Sequence, residues 1–247
     1  MEIKIKTGDE LKRLLDELAM EIVDANIFYQ LFTDIVDSIK DYTKEFQQSN
    51  TFWTFTLAAL QDAALVHLCR VFDQETASLN LFNLLETIKA NLHFFEDGQF
   101  RERLKDNAFV ELLARENRMP DKAQLDGDVL FVSNSNPHVK KLMVWRNNII
   151  AHRGAKISLG KNQILRDNPL SKDELSTLLD ESLKILNRYS SLFRASTYSK
   201  QVSEHDDFKA LLKFIRLGIQ KMHEDNRKQI EEIKKSQAEQ SNQGDGE

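Results

Sequence analysis

The sequence has little cysteine, proline or glycine: one, three and eight residues, respectively, in 247. The single cysteine, Cys69, excludes an intramolecular disulfide and a zinc site built from cysteine pairs. Its apolar neighbours predict a small buried side chain. The scarcity of glycine and proline indicates long helices with few tight turns. A net charge of -5 argues against a protein that coats nucleic acid by bulk attraction, but it allows a local basic site.

Long uncharged runs are also missing. No stretch of about 18 residues lacks charge, and the first four residues do not begin the apolar core of a signal peptide. We therefore expect no membrane span and a reducing, cytoplasmic location. The sequence has no glycine-rich phosphate loop and no nucleophile-elbow serine, which argues against nucleotide triphosphatases and serine hydrolases. His93, His138 and His205 have no second ligand at metal spacing, so we expect no metal site and no cofactor.

Apolar residues recur at helical spacing along most of the chain. This periodicity predicts helices over residues 8–47, 51–73, 79–95, 99–117, 137–153, 172–193 and 204–235. Thr7 with Glu10, and Ser171 with Glu174, form two predicted capping boxes. Residues 118–136 are predicted as a loop, with a short extended piece at Val129–Val132.

Helices without a clear strand predict an all-α fold, an antiparallel helical bundle with additional helices. We place a helical domain over residues 1–196 and a helical extension over residues 197–235. Residues 236–247 contain few apolar side chains and are predicted to be disordered.

The helix predicted from Pro137 carries an unusual arginine. Its buried stripe consists of Val139, Leu142, Met143, Ile149 and Ile150. Arg146 occupies the missing position of this stripe, where a guanidinium is costly unless it is paired or reaches a ligand. His152 follows six residues later, about 240° further around an α-helix. A slight bend, or a helix from a second subunit, would be needed to complete a shared site.

The surrounding window is entirely free of acidic residues. Between Val129 and Arg166 there is no Asp or Glu. The basic residues of this window are Lys140, Lys141, Arg146, Arg153, Lys156, Lys161 and Arg166. In a net acidic chain this concentration of positive charge predicts an anionic ligand, and phosphate is the natural one.

The segment from Trp145 to His152 (WRNNIIAH) resembles the HEPN signature, in which arginine and a polar residue are followed three to five residues later by histidine. Its Ala-His ending with a following arginine is similar to the abortive-infection, AbiU-type branch. So are Leu68–Asp73 (LCRVFD) and Ser78–Leu81 (SLNL). The resemblance covers roughly residues 8–195. It implies a four-helix-bundle core, usually dimeric, with two copies of the motif meeting at a cleft.

Many proteins with this signature cut RNA without metal, often as toxins or phage-defence effectors. The resemblance implies that His152 activates the ribose 2'-hydroxyl or protonates the leaving oxygen, while Arg146 holds the scissile phosphate and Asn147 orients the phosphate or the histidine. RNA phosphates would bind Lys140, Lys141 and Arg153. Arg70 and Asp73 would support the site, and an antitoxin or a nucleotidyltransferase is a possible partner beside RNA.

Alternatives remain open at this point. One is a catalytically inactive HEPN module that binds RNA, nucleotide or a protein partner, and another is a helical scaffold without a ligand. Arg146 could have a purely structural role, in which it pairs with a buried carboxylate, Asp73 or Asp62. Arg70 and Asp73 could likewise form a purely structural ion pair. The spacing of the signature also recurs at Arg216 and His223, but Leu217 stands where a polar residue is required, and we interpret this second match as accidental.

Overall fold

The computed structural model describes residues 2–150, 159–160, 163–201 and 206–244, with side chains up to residue 237. Over these residues the chain is all-α and contains no strand, which confirms the predicted fold class. The chain divides into two compact units. Unit 1 comprises Met1–Gln30 and Ala58–Val202, and unit 2 comprises Leu31–Leu57 and Ser203–Glu247. Two long N-terminal helices each contribute to both units. The predicted domain boundary at residue 196 stays a prediction.

The α-helices are α1 (Gly8–Ser38), α2 (Thr43–Gln47), α3 (Asn50–Val71), α4 (Leu81–Ala90), α5 (Asp97–Arg103), α6 (Val110–Leu113), α7 (Lys122–Val132), α8 (Pro137–Trp145), α9 (Gln163–Arg166), α10 (Lys172–Arg194) and α11 (Phe208–Gly244). A 3₁₀ turn at Leu92–Phe95 precedes α5, and a π-helical turn at Arg146–Ile150 follows α8.

Polar caps start the helices where the sequence predicts them. The Glu10 amide donates to Thr7 Oγ1 at 3.2 Å, and the Thr7 amide donates to Glu10 Oε2 at 3.1 Å. Ser171 and Glu174 form the same reciprocal pair at the start of α10. Each box satisfies amide groups that have no partner within their helix, so it fixes where the helix begins.

The core of unit 1 joins the apolar faces of α1, α3, α4, α8 and α10. Leu15, Phe72 and Leu142 are fully buried in it. Burial of each such side chain contributes about 1.5–3 kcal/mol. This core holds α8 and the end of α3 in one packed unit, and these two elements carry the motif residues.

Residues 8–47 do not form one helix, as the apolar spacing had predicted. The chain leaves helical geometry after Ser38 and resumes at Thr43. Ser38 Oγ donates to the Asp34 carbonyl at 2.8 Å, and Thr43 Oγ1 donates to the Ile39 carbonyl at 2.9 Å. Hydroxyl groups that bond to nearby carbonyls compete with the helical hydrogen-bond ladder, which accounts for the break.

The predictions of a loop over residues 118–136 and of an extended piece at Val129–Val132 are wrong, because α7 occupies Lys122–Val132. Asp121 caps this helix by accepting from the Gln124 amide at 2.8 Å. The residues that α7 buries, Leu125, Asp128 and Val132, follow helical spacing. Only two of the three are apolar, so the hydrophobic signal was too weak to outweigh Gly127.

Unit 2 has a small core of its own. Trp53 packs edge-on against Phe46 with ring centroids 4.8 Å apart, and Phe208 and Leu212 of α11 are buried. Arg216 ties α11 to the α2 region, because its Nε donates to Glu45 Oε1 at 2.5 Å. Beyond this region α11 continues to Gly244. The sequence had predicted that this helix ends at residue 235 and that a disordered tail begins at residue 236, but the helix continues through both positions.

The second predicted helix, α3, is apolar on most faces, yet it is not buried along its whole length. Phe52 and Phe55 are 58% and 71% exposed, whereas Leu68 and Val71 lie in the core of unit 1. Among the described helices, α3 is long and apolar enough to span a membrane, with a mean hydropathy of 1.2. This is weak evidence for a span, since the core helix of a soluble protein passes the same test.

Candidate functional site

The motif segment leaves α-helical geometry at Arg146. The α-helix from Pro137 ends at Trp145, and Arg146–Ile150 form a π-helical turn, whereas the sequence predicted one α-helix through residue 153. Asn148 Nδ2 donates to the Val144 carbonyl at 2.8 Å, which competes for the acceptor of the α-helical ladder. Such π-turns are rare and occur frequently at functional sites.

Two of the predicted site residues, His152 and Arg153, lie outside the described residues. Their catalytic and phosphate-binding roles therefore stay predictions, as does the geometric relation between Arg146 and His152.

Arg146 is held by a carboxylate from a distant part of the chain. Its Nη2 donates to Asp73 Oδ2 at 2.9 Å, and its Nη1 donates to Asn147 Oδ1 at 3.1 Å. The Arg146 side chain is 31% exposed, and that of Asp73 is 14% exposed. Of the two carboxylates that the sequence offered as partners, Asp73 is the one used, while Asp62 is exposed on α3. The guanidinium is thus oriented by Asp73 and still reaches solvent.

Asp73 is itself fixed in place by the backbone. Its Oδ1 accepts the amides of Gln74 at 2.8 Å and Glu75 at 3.2 Å, which leaves Oδ2 for Arg146. Hydrogen bonds to both oxygens restrict the rotation of this carboxylate. Asp73 can therefore set the direction of the Arg146 guanidinium.

The connection between α3 and α4 contains the residues that carried the family resemblance before α8. Asn80 caps α4 by accepting from the Asn83 amide at 2.8 Å, and it donates to the Glu75 carbonyl at 3.1 Å. Gln74 Nε2 donates to the Val132 carbonyl at 3.1 Å and so ties this connection to the end of α7. These bonds form a rigid connector that places Asp73 beside Arg146.

Cys69 lies next to this ion pair but does not take part in it. The thiol is buried, and burial raises its pKa to about 12, a shift that nearby Arg146 opposes and nearby Asp73 increases. A thiol in this state is no nucleophile at neutral pH. The predicted role of Cys69 as a small buried side chain is confirmed.

Arg70 does not pair with Asp73, contrary to the structural alternative considered from the sequence. Its Nη1 donates to Glu21 Oε1 at 3.2 Å, and Glu21 Oε2 lies 2.7 Å from His67 Nδ1. Arg70, Glu21 and His67 form a separate cluster between α1 and α3. No hydrogen bond or ion pair in the described part of the chain links Arg70 to Arg146, and the predicted support of the site by Arg70 stays a prediction.

The two lysines of α8 are in different situations. Lys140 is exposed and pairs with no described carboxylate. Lys141 Nζ donates to Glu174 Oε1 at 2.6 Å. This bond, together with the Ser171 amide, lowers the pKa of Glu174 to about 2. Of the lysines predicted to bind phosphate, Lys140 is therefore available, and Lys141 would have to exchange its partner.

Trp145, at the end of α8, is an anchor. Its Nε1 donates to the Asn168 carbonyl at 2.8 Å, which holds the chain before α10 against α8.

In unit 2, the second match to the signature borders a cleft of about 460 Å³, lined by Arg216 and His223 among others. Arg216 is already bonded to the buried carboxylate of Glu45 there, which accords with a structural role.

No three His, Cys, Asp or Glu side chains converge as metal ligands within the residues that the structure describes. The cluster around Arg146 thus consists of a guanidinium, a carboxylate and amides. Within this cluster the carboxylate orients the guanidinium, and a guanidinium is a group that can bind an anion by charge-assisted hydrogen bonds.

The HEPN family model for AbiU2 matches residues 8–235. No curated protein and no solved structure matches the chain. The family match extends past residue 195, where the resemblance in the sequence ended, and includes most of α11. Because the match covers most of the chain and includes both segments that meet at Arg146 and Asp73, this protein belongs to the AbiU2 family of HEPN proteins.

Proposed function

We propose that this protein is a metal-independent endoribonuclease of HEPN type that acts as a toxin or phage-defence effector. One observation carries the proposal: Arg146 stands in a π-helical turn of the family motif, oriented by Asp73 and still partly exposed. A guanidinium fixed in this way can meet a phosphate without paying to reorganise at the moment of reaction.

In the proposed reaction, His152 either takes the proton of a ribose 2'-hydroxyl or donates a proton to the leaving 5'-oxygen, and water carries out the other proton transfer. The 2'-oxygen attacks the adjacent phosphorus, and the bond from phosphorus to the 5'-oxygen breaks as that oxygen gains a proton. The products are a 2',3'-cyclic phosphate and a 5'-hydroxyl. Arg146 binds the non-bridging oxygens, on which negative charge grows, and Asn147 orients the phosphate or the histidine.

The surroundings of the motif support an RNA substrate. Lys140 supplies an exposed positive charge on α8, and Arg153 is proposed to supply another. We propose that two copies of the chain bring their motifs together, and that an antitoxin or a nucleotidyltransferase holds the activity in check.

Expression in a bacterial host tests this proposal. We expect wild-type protein to arrest growth and degrade cellular RNA, and His152→Ala to relieve both at an equal protein level. His93→Ala removes an exposed histidine outside the motif and is the matched control, expected to stay toxic. Toxicity that persists in His152→Ala would reject the proposal.

A second candidate is a catalytically inactive module that binds RNA, nucleotide or a protein partner. The bonds of Arg146 to Asp73 and of Lys141 to Glu174 favour it, because both cations already have carboxylate partners. In that case His152→Ala leaves function intact, whereas charge reversal at Lys140 and Arg153 abolishes binding.

A further inference from the structure

The part of α11 that follows Gln220 carries large apolar side chains that remain exposed. Met222, Ile230 and Ile233 are 65%, 53% and 57% exposed. Helices without tertiary contacts are marginally stable in water, so a helix of this length gains from a partner along its apolar face.

The exposed residues continue a buried face. Apart from Leu211, Phe214 and Leu217, which lie outside it, the large apolar residues of α11 fall together with Asn226 within a sector of about 80° at 3.6 residues per turn. They are Phe208, Leu212, Ile215, Ile219, Met222, Asn226, Ile230 and Ile233. The first two are buried in unit 2, at 9% and 0% exposure, while the last two are open to solvent. We call Met222, Asn226, Ile230 and Ile233 the outer stripe.

Charges of opposite sign flank the outer stripe. Arg227 and Lys234 lie about 80–100° to one side of its centre, and Asp225 and Glu232 lie about 100–120° to the other side. Asp225 pairs along the helix with Lys221 at 3.1 Å. That pair is exposed and therefore weak, so it can give way to a contact across an interface.

This arrangement selects both the partner and its orientation. Two copies of the helix packed in parallel place the basic flank of each against the acidic flank of the other. An antiparallel pair places like charges together on both sides. A parallel, in-register pair also brings Asn226 against its own copy, and a single polar residue in such a seam fixes register and strand number.

We propose that residues 221–236 of α11 form a parallel, in-register, two-stranded pair with the same segment of a second copy of this chain. The outer stripe forms the seam of this interface, and the oppositely charged flanks set its direction. The proposal is independent of the catalytic one, since it involves no residue of the motif.

Cross-linking of the full chain tests register and direction together. Asn226→Cys places a thiol in the seam, while the native Cys69 is buried. Leu217→Cys is the matched control, because Leu217 is 59% exposed and lies on the opposite face of α11. Under mild oxidation we expect Asn226→Cys to form a disulfide-linked dimer at least about tenfold faster than Leu217→Cys, as a preorganised contact raises the effective concentration.

A second substitution removes the seam. Adding Ile230→Asp to Asn226→Cys should reduce the cross-linking rate to that of the control, while circular dichroism verifies that the helices persist. Equal rates for Asn226→Cys and Leu217→Cys would overturn the proposal. So would fast cross-linking that survives Ile230→Asp. RNA cleavage by the same variants is measured in a separate assay. A protein that does not cleave RNA would count against the catalytic proposal but not against this interface.

Discussion

Replacing Asp73 by Asn tests whether this carboxylate orients Arg146. The change keeps Oδ1 for the amides of Gln74 and Glu75, but it replaces Oδ2, which accepts from the guanidinium, by an uncharged NH2 group that cannot accept this bond. Exposed ion pairs contribute up to about 1 kcal/mol, and breaking a buried pair costs about 3–5 kcal/mol. The pair is 31% and 14% exposed, so we expect the free energy of unfolding to fall by about 1–2 kcal/mol.

The same variant should lose activity beyond its loss of stability. A guanidinium displaced by about 1 Å reduces the rate by on the order of 10- to 100-fold, because the phosphate is no longer held in line for attack. Thermal unfolding and cleavage of a fluorescent RNA measure the two effects.

Asp16→Asn is the control for that experiment. Asp16 accepts from Arg194 at 2.6 Å and from the Tyr198 hydroxyl at 2.8 Å, and it shares no contact with Arg146 in the described chain. We expect it to lower stability to a similar degree while the folded protein keeps its cleavage rate. If Asp73→Asn destabilises the protein but cuts RNA at the wild-type rate, Asp73 does not position Arg146 for catalysis.

Three further predictions concern the same region. The lowered pKa of Glu174 stabilises the fold above pH 4.5, and this stability is lost as the pH falls towards 2. Because Lys141 is the main cause of the lowered pKa, Lys141→Gln should shift acid unfolding to higher pH. An unchanged acid transition would refute this. Lys140→Gln should lower the salt dependence of RNA binding by about one phosphate contact without affecting stability, and an unaltered slope would exclude a contact there. Cys69, with its pKa raised to about 12, should react with a thiol reagent only on unfolding; rapid stoichiometric reaction of the folded protein would contradict its burial.

Local chemistry made much of the fold predictable. The capping boxes at Thr7 and Ser171, and the start of α8 at Pro137, depend on residues three or four positions apart, so the sequence displays them directly. The break after Ser38 and the helix at Lys122–Val132 were missed. There, side-chain bonds to the backbone and burial in the tertiary structure outweigh the local apolar pattern.

The partners of the site cations could not be predicted with the same certainty. The window from Val129 to Arg166 is free of acidic residues, which suggested an uncompensated positive patch. In the folded chain Asp73 and Glu174 come from other elements and pair with Arg146 and Lys141. From the sequence, Asp73 and Asp62 were both candidate partners of Arg146 with nothing to choose between them, and Lys141 had no named partner, because spacing along the chain does not show which distant elements meet.

The most direct test of the account is RNA cleavage by purified protein in the presence of a metal chelator, with identification of the product ends. The proposed mechanism predicts 2',3'-cyclic phosphate and 5'-hydroxyl ends from the wild-type protein and no products from Arg146→Ala. Intact RNA after incubation with wild type, or equal cleavage by Arg146→Ala, would contradict it.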